Sequence, residues 1–84
     1  MEPLIGKIIE STQEFYLKNK LVDGKLCSPL AFYAPKIRKG WKFRVKDCKQ
    51  GVVILQNLNS EDWKECELTE EDIADFKVVS RYSI

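Results

Sequence analysis

Cysteine thiols and carboxylates are the groups with which this chain could do chemistry, because its sequence contains no histidine. The cysteines, Cys27, Cys48 and Cys66, are odd in number and far apart, so they form neither a complete disulfide framework nor a Cys-x-x-Cys zinc site. Cys48 lies beside Lys46 and Lys49, whose charges would lower the pKa of its thiol and make it reactive. The alternative, which we favour, is that the cysteines are reduced and have no chemical role.

Two groups of carboxylates are close enough in sequence to act together. Glu65 and Glu67 lie two residues apart and would share one face of a strand, either as a catalytic pair or, as we favour, as a solvated surface. The acidic run at residues 70–72 lacks the alternating ligands and central glycine of a calcium loop, and helix capping accounts for it. We therefore predict that the chain is not an enzyme and that it uses no metal, no cofactor and no small-molecule substrate.

Length and composition predict one small domain over residues 1–84. The chain has 14 Lys and Arg against 13 Asp and Glu, a formal charge of +1, and 44% hydrophobic residues. These values are typical of globular chains and exclude a strongly electrostatic polyanion binder. No apolar run approaches the ~20 residues that cross a bilayer, and the first residues lack a signal sequence. We expect a complete cytoplasmic chain with no membrane partner.

The residues that could do chemistry must be positioned by strands, because hydrophobic alternation in the second half predicts a three-stranded meander. Residues 41–47 alternate apolar and basic side chains, and these are Trp41, Lys42, Phe43, Arg44, Val45 and Lys46. Residues 52–58 are aliphatic on both faces, as in a central strand. Residues 63–68 form the third strand, with Cys66 and Leu68 on one face and Trp63, Glu65 and Glu67 on the other.

A short helix and a last strand follow the predicted meander. Thr69 precedes Asp72 by three residues, which is the spacing of a capping box, and acids fill the first turn. This pattern predicts one helical turn that ends near Asp75. Residues 76–82 return to β-branched and aromatic composition and predict a final strand.

The first 36 residues fit two patterns. Apolar residues from Leu4 to Tyr16 fit a helical stripe, which would give an α+β fold with an N-terminal helix over residues 4–20. The tight-turn dipeptide Asp23-Gly24 instead favours a hairpin of strands 14–22 and 25–32. We favour the strands. The predicted fold class is therefore mainly β, a small five- to six-stranded antiparallel barrel with a one-turn helix before the last strand.

This order of elements resembles the small five-stranded barrel of the Src-homology-three type. A first strand and a long irregular hairpin precede Lys39-Gly40, a three-stranded meander, a one-turn helix and a final strand. The resemblance is architectural and covers residues 37–82. Because the aromatic motifs of that family's proline-rich-peptide binders are missing, no binding residue is transferred from it.

Charge is unevenly distributed along the chain. Residues 36–49 contain seven Lys or Arg and one Asp, a net charge of +6, whereas residues 61–75 contain eight acids and one Lys, a net charge of −7. One hypothesis is that basic and acidic strands neutralise each other on a shared face. A second is a protein partner, anchored by Trp63 or by the outer face of Val53 and Leu55.

A third hypothesis is nucleic-acid binding, in which residues 36–49 follow phosphates while Trp41, Phe32 or Tyr33 stacks on bases. Core packing of Trp41 is the alternative to stacking. We predict a non-enzymatic intracellular protein-binding module, of the kind that phages or mobile elements encode as inhibitors or adaptors, with nucleic-acid binding as the alternative. The predicted partner-binding residues are Trp63, Glu65, Glu67, Lys42, Arg44 and Lys46.

Overall fold

The computed structural model describes residues 4–27 and 35–80, and these form nine strands and one short helix. The elements are β1 (Ile8–Ser11), β2 (Phe15–Tyr16), β3 (Leu21–Val22), β4 (Lys25–Leu26), β5 (Lys36–Ile37), β6 (Lys42–Lys49), β7 (Val52–Asn57), β8 (Glu65–Thr69), α1 (Glu70–Ile73) and β9 (Phe76–Ser80). All strand pairs are antiparallel. The fold is therefore mainly β, as the sequence predicts.

Seven of these strands form one sheet in the order β4-β3-β8-β7-β6-β1-β9, while β2 and β5 form a separate ribbon. The predicted meander is confirmed, since β6 pairs with β7 and β7 pairs with β8. Gln50 and Gly51 join β6 to β7 with φ angles of +49° and +81°, the left-handed conformations that a tight hairpin turn uses. The last strand, β9, pairs with β1, which links the two ends of the described chain.

The core lies on one face of this sheet. Inward positions of β6 and β7 alternate as predicted, with Phe43, Val45, Val53 and Leu55 all fully or almost fully buried. Val53 and Leu55 are therefore unavailable as the outer contact surface that one hypothesis required. The β2–β5 ribbon and the segments around it contribute further buried residues, which are Leu17, Val22 and Ile37.

The N-terminal third is built of strands, so the alternative of a helix over residues 4–20 is wrong. The hairpin at Asp23-Gly24 is confirmed, with Leu21 opposite Leu26 and Val22 opposite Lys25. Its strands are much shorter than residues 14–22 and 25–32, because the chain leaves extended geometry between β2 and β3, where Asn19 has a φ angle of +65°. Residues 28–32 of the predicted second strand lie outside the described residues.

The prediction of five or six strands in a barrel is wrong in strand count, and the sheet does not close. Within the described ranges β4 and β9 each have one neighbouring strand, so they are the two edges of an open sheet. In the same ranges β2 pairs with β5, with Phe15 opposite Ile37, and with neither edge of the large sheet. Among the residues that the structure describes, no helix is long and apolar enough to span a membrane.

The predicted capping box is confirmed at α1. The Thr69 side chain accepts a hydrogen bond from the backbone N–H of Asp72, and the Asp72 carboxylate accepts one from the backbone N–H of Thr69. The Asp72 carboxylate also accepts a hydrogen bond from Lys20 Nζ at 2.6 Å. This ion pair joins the segment before β3 to the helix. Burial raises the pKa of Asp72, but the hydrogen bonds from Lys20 and Thr69 outweigh it and hold the pKa below the usual value of 3.8.

Asp72→Asn is expected to lower the free energy of unfolding at neutral pH by about 1 kcal/mol. It is also expected to reduce how much that free energy falls as the solution is acidified. Because the folded pKa lies below the unfolded one, the carboxylate stabilises the fold above the unfolded pKa. That contribution is lost as the pH falls through the folded pKa, below about pH 4. Urea unfolding across this range measures the effect. Glu71→Gln, at an exposed neighbouring acid, is the control, and equal pH profiles for the two variants would contradict the prediction.

Candidate functional site

Trp63 lies in the core, so the prediction that its side chain points outward is wrong. Only 7% of its surface is exposed. Its ring stacks on Phe43, with centroids 6.0 Å apart and an interplanar angle of 26°, and it contacts Trp41 at 6.4 Å. Trp41 in turn lies 6.4 Å from Phe43. Three aromatic side chains therefore pack as one cluster. They come from β6, from the residue that precedes β6 and from the segment before β8.

Trp63 points inward because the strand alternation of β8 does not extend back to residue 63. β8 begins at Glu65. In the preceding segment the Asn57 backbone N–H donates to the Lys64 carbonyl at 2.8 Å, and side chains supply further hydrogen bonds. The Asn57 side-chain amide donates to the Trp63 carbonyl at 3.1 Å, and the Asp23 carboxylate accepts the backbone N–H groups of Lys64 and Glu65 at 2.9–3.1 Å. This irregular backbone turns the indole inward.

A groove opens where Trp41 and Trp63 reach the surface, and we call it the aromatic groove. Its volume is about 670 Å³. Its walls come from the β3–β4 hairpin, from the segment around β5 and from the segment before β8. The lining residues are Val22, Asp23, Lys25, Leu26, Cys27, Pro35, Lys36, Arg38, Trp41, Ser60, Asp62 and Trp63.

Positive charge on the rim of the aromatic groove is only partly neutralised. Lys36 pairs with Glu14 at 3.2 Å, whereas Lys25 and Arg38 are exposed and have no ion pair with any described residue. The Asp23 carboxylate is already engaged by backbone N–H groups. The groove is thus lined by two tryptophans, by two cations that form no ion pair with a described residue, and by the exposed carboxylate of Asp62.

The other predicted site residues lie on β6 and β8, away from the lining of the aromatic groove. Lys46 Nζ and Glu65 Oε2 are 2.8 Å apart, across the intervening β7. Arg44 donates to the Gln56 side chain at 3.3 Å, and Lys42 pairs with Glu10 at 3.5 Å. Glu67 lies opposite Ile54 in the sheet. The structure therefore joins only one predicted basic–acidic pair directly, and whether these residues bind a partner stays a prediction.

The basic segment at residues 36–49 is partly neutralised within the fold. In the described part of the chain, four of its seven cations form ion pairs, with the partners Lys36–Glu14, Lys42–Glu10, Lys46–Glu65 and Lys49–Asp47. Among the described residues only Lys46–Glu65 joins this segment to residues 61–75, so the predicted neutralisation of one segment by the other is limited to that pair. Phe32 and Tyr33, which the nucleic-acid hypothesis assigned to base stacking, lie outside the described residues.

The three cysteines differ in environment. Burial, with smaller contributions from Asp23 and other neighbouring acidic groups, raises the pKa of the Cys66 thiol to about 12, so it stays protonated at neutral pH. Cys27 is half-buried, and burial raises the pKa of its thiol as well. Cys48 is half-buried at the end of β6. Across residues 4–27 and 35–80, no group of three potential metal ligands comes together.

Sequence reasoning missed the contribution of the hairpin and of residues 35–38 to this site. The Asp23-Gly24 turn signal correctly predicts the hairpin, but nothing in local pattern indicates that β3 pairs with β8, with Val22 opposite Cys66. That pairing brings Leu26 to the same groove as Arg38. The sequence identifies Arg38 only as one of the seven cations in residues 36–49 and does not indicate that it lines a groove.

Comparison of the chain with protein-family models, with curated proteins and with solved structures found no match.

Proposed function

We propose that this chain is a non-enzymatic protein-binding module and that the aromatic groove is its contact site. The observation that carries the proposal is the pair of tryptophans, Trp41 and Trp63, at the floor of an open groove with Lys25 and Arg38 on its rim. Aromatic side chains and arginine are enriched where protein interfaces gain most of their binding energy. Rim cations steer an acidic partner and fix its orientation.

The groove keeps Trp63 in the proposed site but changes its role. A buried indole contributes a rigid apolar surface rather than a projecting anchor. Exposed Leu26, with 66% of its surface accessible, is the projecting apolar residue of the groove. A partner segment that covers Leu26 would remove this apolar side chain from water, which favours association.

The small-barrel relationship remains part of the proposal at the level of architecture. The strand order β9-β1-β6-β7-β8 within the sheet, with α1 between β8 and β9, supports a partly open relative of the Src-homology-three barrel. The lack of histidine, the usual proton carrier near neutral pH, supports a role as an inhibitor or adaptor rather than as a catalyst. A location in the cytoplasm stays a prediction. An origin in phages or mobile elements stays a prediction.

Arg38→Glu is expected to weaken peptide binding about tenfold, because a cation on the groove rim is replaced by an anion. Peptides of twelve residues, selected on the wild-type protein from a random displayed library, serve as ligands, and fluorescence anisotropy measures their affinity. Lys39→Glu is the matched control, since Lys39 is an exposed neighbouring cation that does not line the groove. Equal losses in the two variants, or none in Arg38→Glu, would remove the groove as the contact site.

Nucleic-acid binding by residues 36–49 is the weaker alternative, because the ion pairs of that segment reduce its net field. Labelled single-stranded DNA of mixed sequence tests it in the same assay. Binding that falls steeply with salt and is lost in the Lys42→Glu/Arg44→Glu double variant would favour this alternative over a protein partner.

A further inference from the structure

The strand β4 is an edge of the large sheet, and it borders the aromatic groove. In the described part of the chain β3 is its only neighbour. Leu26, the second residue of β4, is the most exposed of the large hydrophobic residues that the structure describes, at 66%. An edge strand with an exposed apolar residue beside a groove is an arrangement to which an extended peptide can add as a further strand.

Backbone geometry shows which groups of β4 face this open edge. Asp23 and Gly24 have φ angles of +51° and +82°, so they form a two-residue turn of the primed type. In such a hairpin the residues next to the turn, Val22 and Lys25, are the hydrogen-bonded pair, and the following pair, Leu21 and Leu26, is not. The N–H and C=O groups of Leu26 therefore point away from β3.

The backbone hydrogen bonds of Cys27, the next residue, agree with this alternation. The backbone N–H of Cys27 donates to the Lys20 carbonyl at 2.9 Å, and the Cys27 carbonyl accepts the N–H of Asn19 at 2.8 Å. Cys27 thus directs both of its backbone groups toward the segment that leads into β3. Leu26, between two such residues, directs one donor and one acceptor away from β3, toward the edge that no other described strand covers.

The opposite wall supplies charge and apolar surface. Pro35 and Arg38 line the groove together with Leu26, and Trp41 and Trp63 form its floor. Lys25, on β4 itself, and Arg38 have no ion-pair partner in residues 4–27 and 35–80. A strand that lies along β4 would place alternate side chains on the aromatic floor and would bring acidic groups close to both cations.

We propose that the groove binds an extended acidic segment of another protein by strand addition to β4, with Leu26 as the pairing residue. This inference rests on the proposed function and specifies its ligand: a peptide with alternating β-branched or aromatic residues and acidic flanks. The Leu26 N–H and C=O each form one hydrogen bond with the added strand. An aromatic side chain of the peptide packs against Trp41 and Trp63, and flanking carboxylates pair with Lys25 and Arg38.

Leu26→Pro tests the pairing directly, because proline lacks the N–H that only the added strand would use. The probe is a fluorescein-labelled, amidated peptide, Asp-Thr-Val-Phe-Val-Thr-Asp, and a second peptide replaces both aspartates with lysine. We expect Leu26→Pro to weaken binding of the acidic peptide at least about tenfold, and the matched control Leu26→Val, which keeps the N–H and an apolar side chain, to change it less than about threefold. The lysine peptide is expected to bind at least about tenfold more weakly to the wild type.

Amide hydrogen exchange of Leu26 in the wild-type protein keeps the proposal testable if the proline variant does not fold. Saturation with the acidic peptide is expected to slow that exchange at least about tenfold. Failure of the acidic peptide to bind, equal affinity of Leu26→Pro and Leu26→Val, or unchanged Leu26 exchange would each overturn strand addition. If strand addition fails but library-selected peptides still lose affinity in Arg38→Glu, the groove remains the proposed contact site. If those peptides keep their affinity in Arg38→Glu, strand addition and the proposed function both fail.

Discussion

Trp63→Ala is expected to destabilise the fold by about 3–5 kcal/mol, which is the usual cost of removing a large buried aromatic side chain. The indole is 7% exposed and contacts the rings of Phe43 and Trp41. Its removal loses the transfer free energy of the side chain and leaves a cavity between β6 and the segment before β8. Urea unfolding followed by circular dichroism gives the free energy of unfolding and shows whether the slope of the transition changes.

Tyr16→Ala is the control, since Tyr16 is also aromatic but is 53% exposed. We expect it to cost less than about 1 kcal/mol. If Trp63→Ala does not fold, Trp63→Phe keeps most of the ring contact and is expected to cost about 1–2 kcal/mol. A loss for Trp63→Ala no larger than that of Tyr16→Ala would place the indole on the surface and contradict the described groove floor.

Asp23→Ala is expected to cost about 2–3 kcal/mol, because one side chain holds together the hairpin and the start of β8. The carboxylate accepts the N–H groups of Lys64 and Glu65, and the Asp23 N–H donates to the Glu65 carbonyl at 2.9 Å. Alanine leaves two backbone donors without this acceptor. It also tolerates the φ angle of +51° less well than aspartate does.

Two variants separate these contributions in the same unfolding assay. Asp23→Asn keeps the tolerance for a positive φ and one carbonyl oxygen, so its cost is expected to be about half that of alanine. Asp62→Ala removes an exposed acid from the same groove and is expected to cost less than about 0.5 kcal/mol. Equal stability of Asp23→Ala and Asp62→Ala would mean that the Asp23 contacts contribute nothing to the fold.

The predictable part of the fold is the part with long, regular alternation. β6 and β7 are eight and six residues long, so the two-residue period of Phe43 and Val45 is repeated often enough to identify a strand. The capping box of Thr69 and Asp72 is equally local, since three residues separate the groups that bond. Both features depend on neighbours in sequence, and both are confirmed.

The N-terminal third is less predictable because its strands are too short to show a period. β2, β3 and β4 have two residues each, and tertiary pairing decides their geometry. The turn residues Asp23 and Gly24 gave the one reliable local signal. The partner of that hairpin, β8, lies more than forty residues away along the chain, where no local pattern could indicate it.

The site was only partly predictable for the same reason. Alternation correctly placed Glu65 and Glu67 on one strand face, but it was extended one step too far, to Trp63. Side-chain contacts from Asn57 and Asp23 fix the backbone at that point, and they arise from other parts of the chain. The aromatic groove is the result of these long-range contacts, so its walls could not be derived from spacing.

A titration of the isotope-labelled protein with the acidic peptide locates the binding surface residue by residue. We predict that the largest chemical-shift changes occur at the Leu26 backbone amide and at the indole N–H groups of Trp41 and Trp63. Largest changes at Arg44, Glu65 and Glu67, with Leu26 and both indoles unmoved, would place the site on the outer face of the sheet and contradict the account.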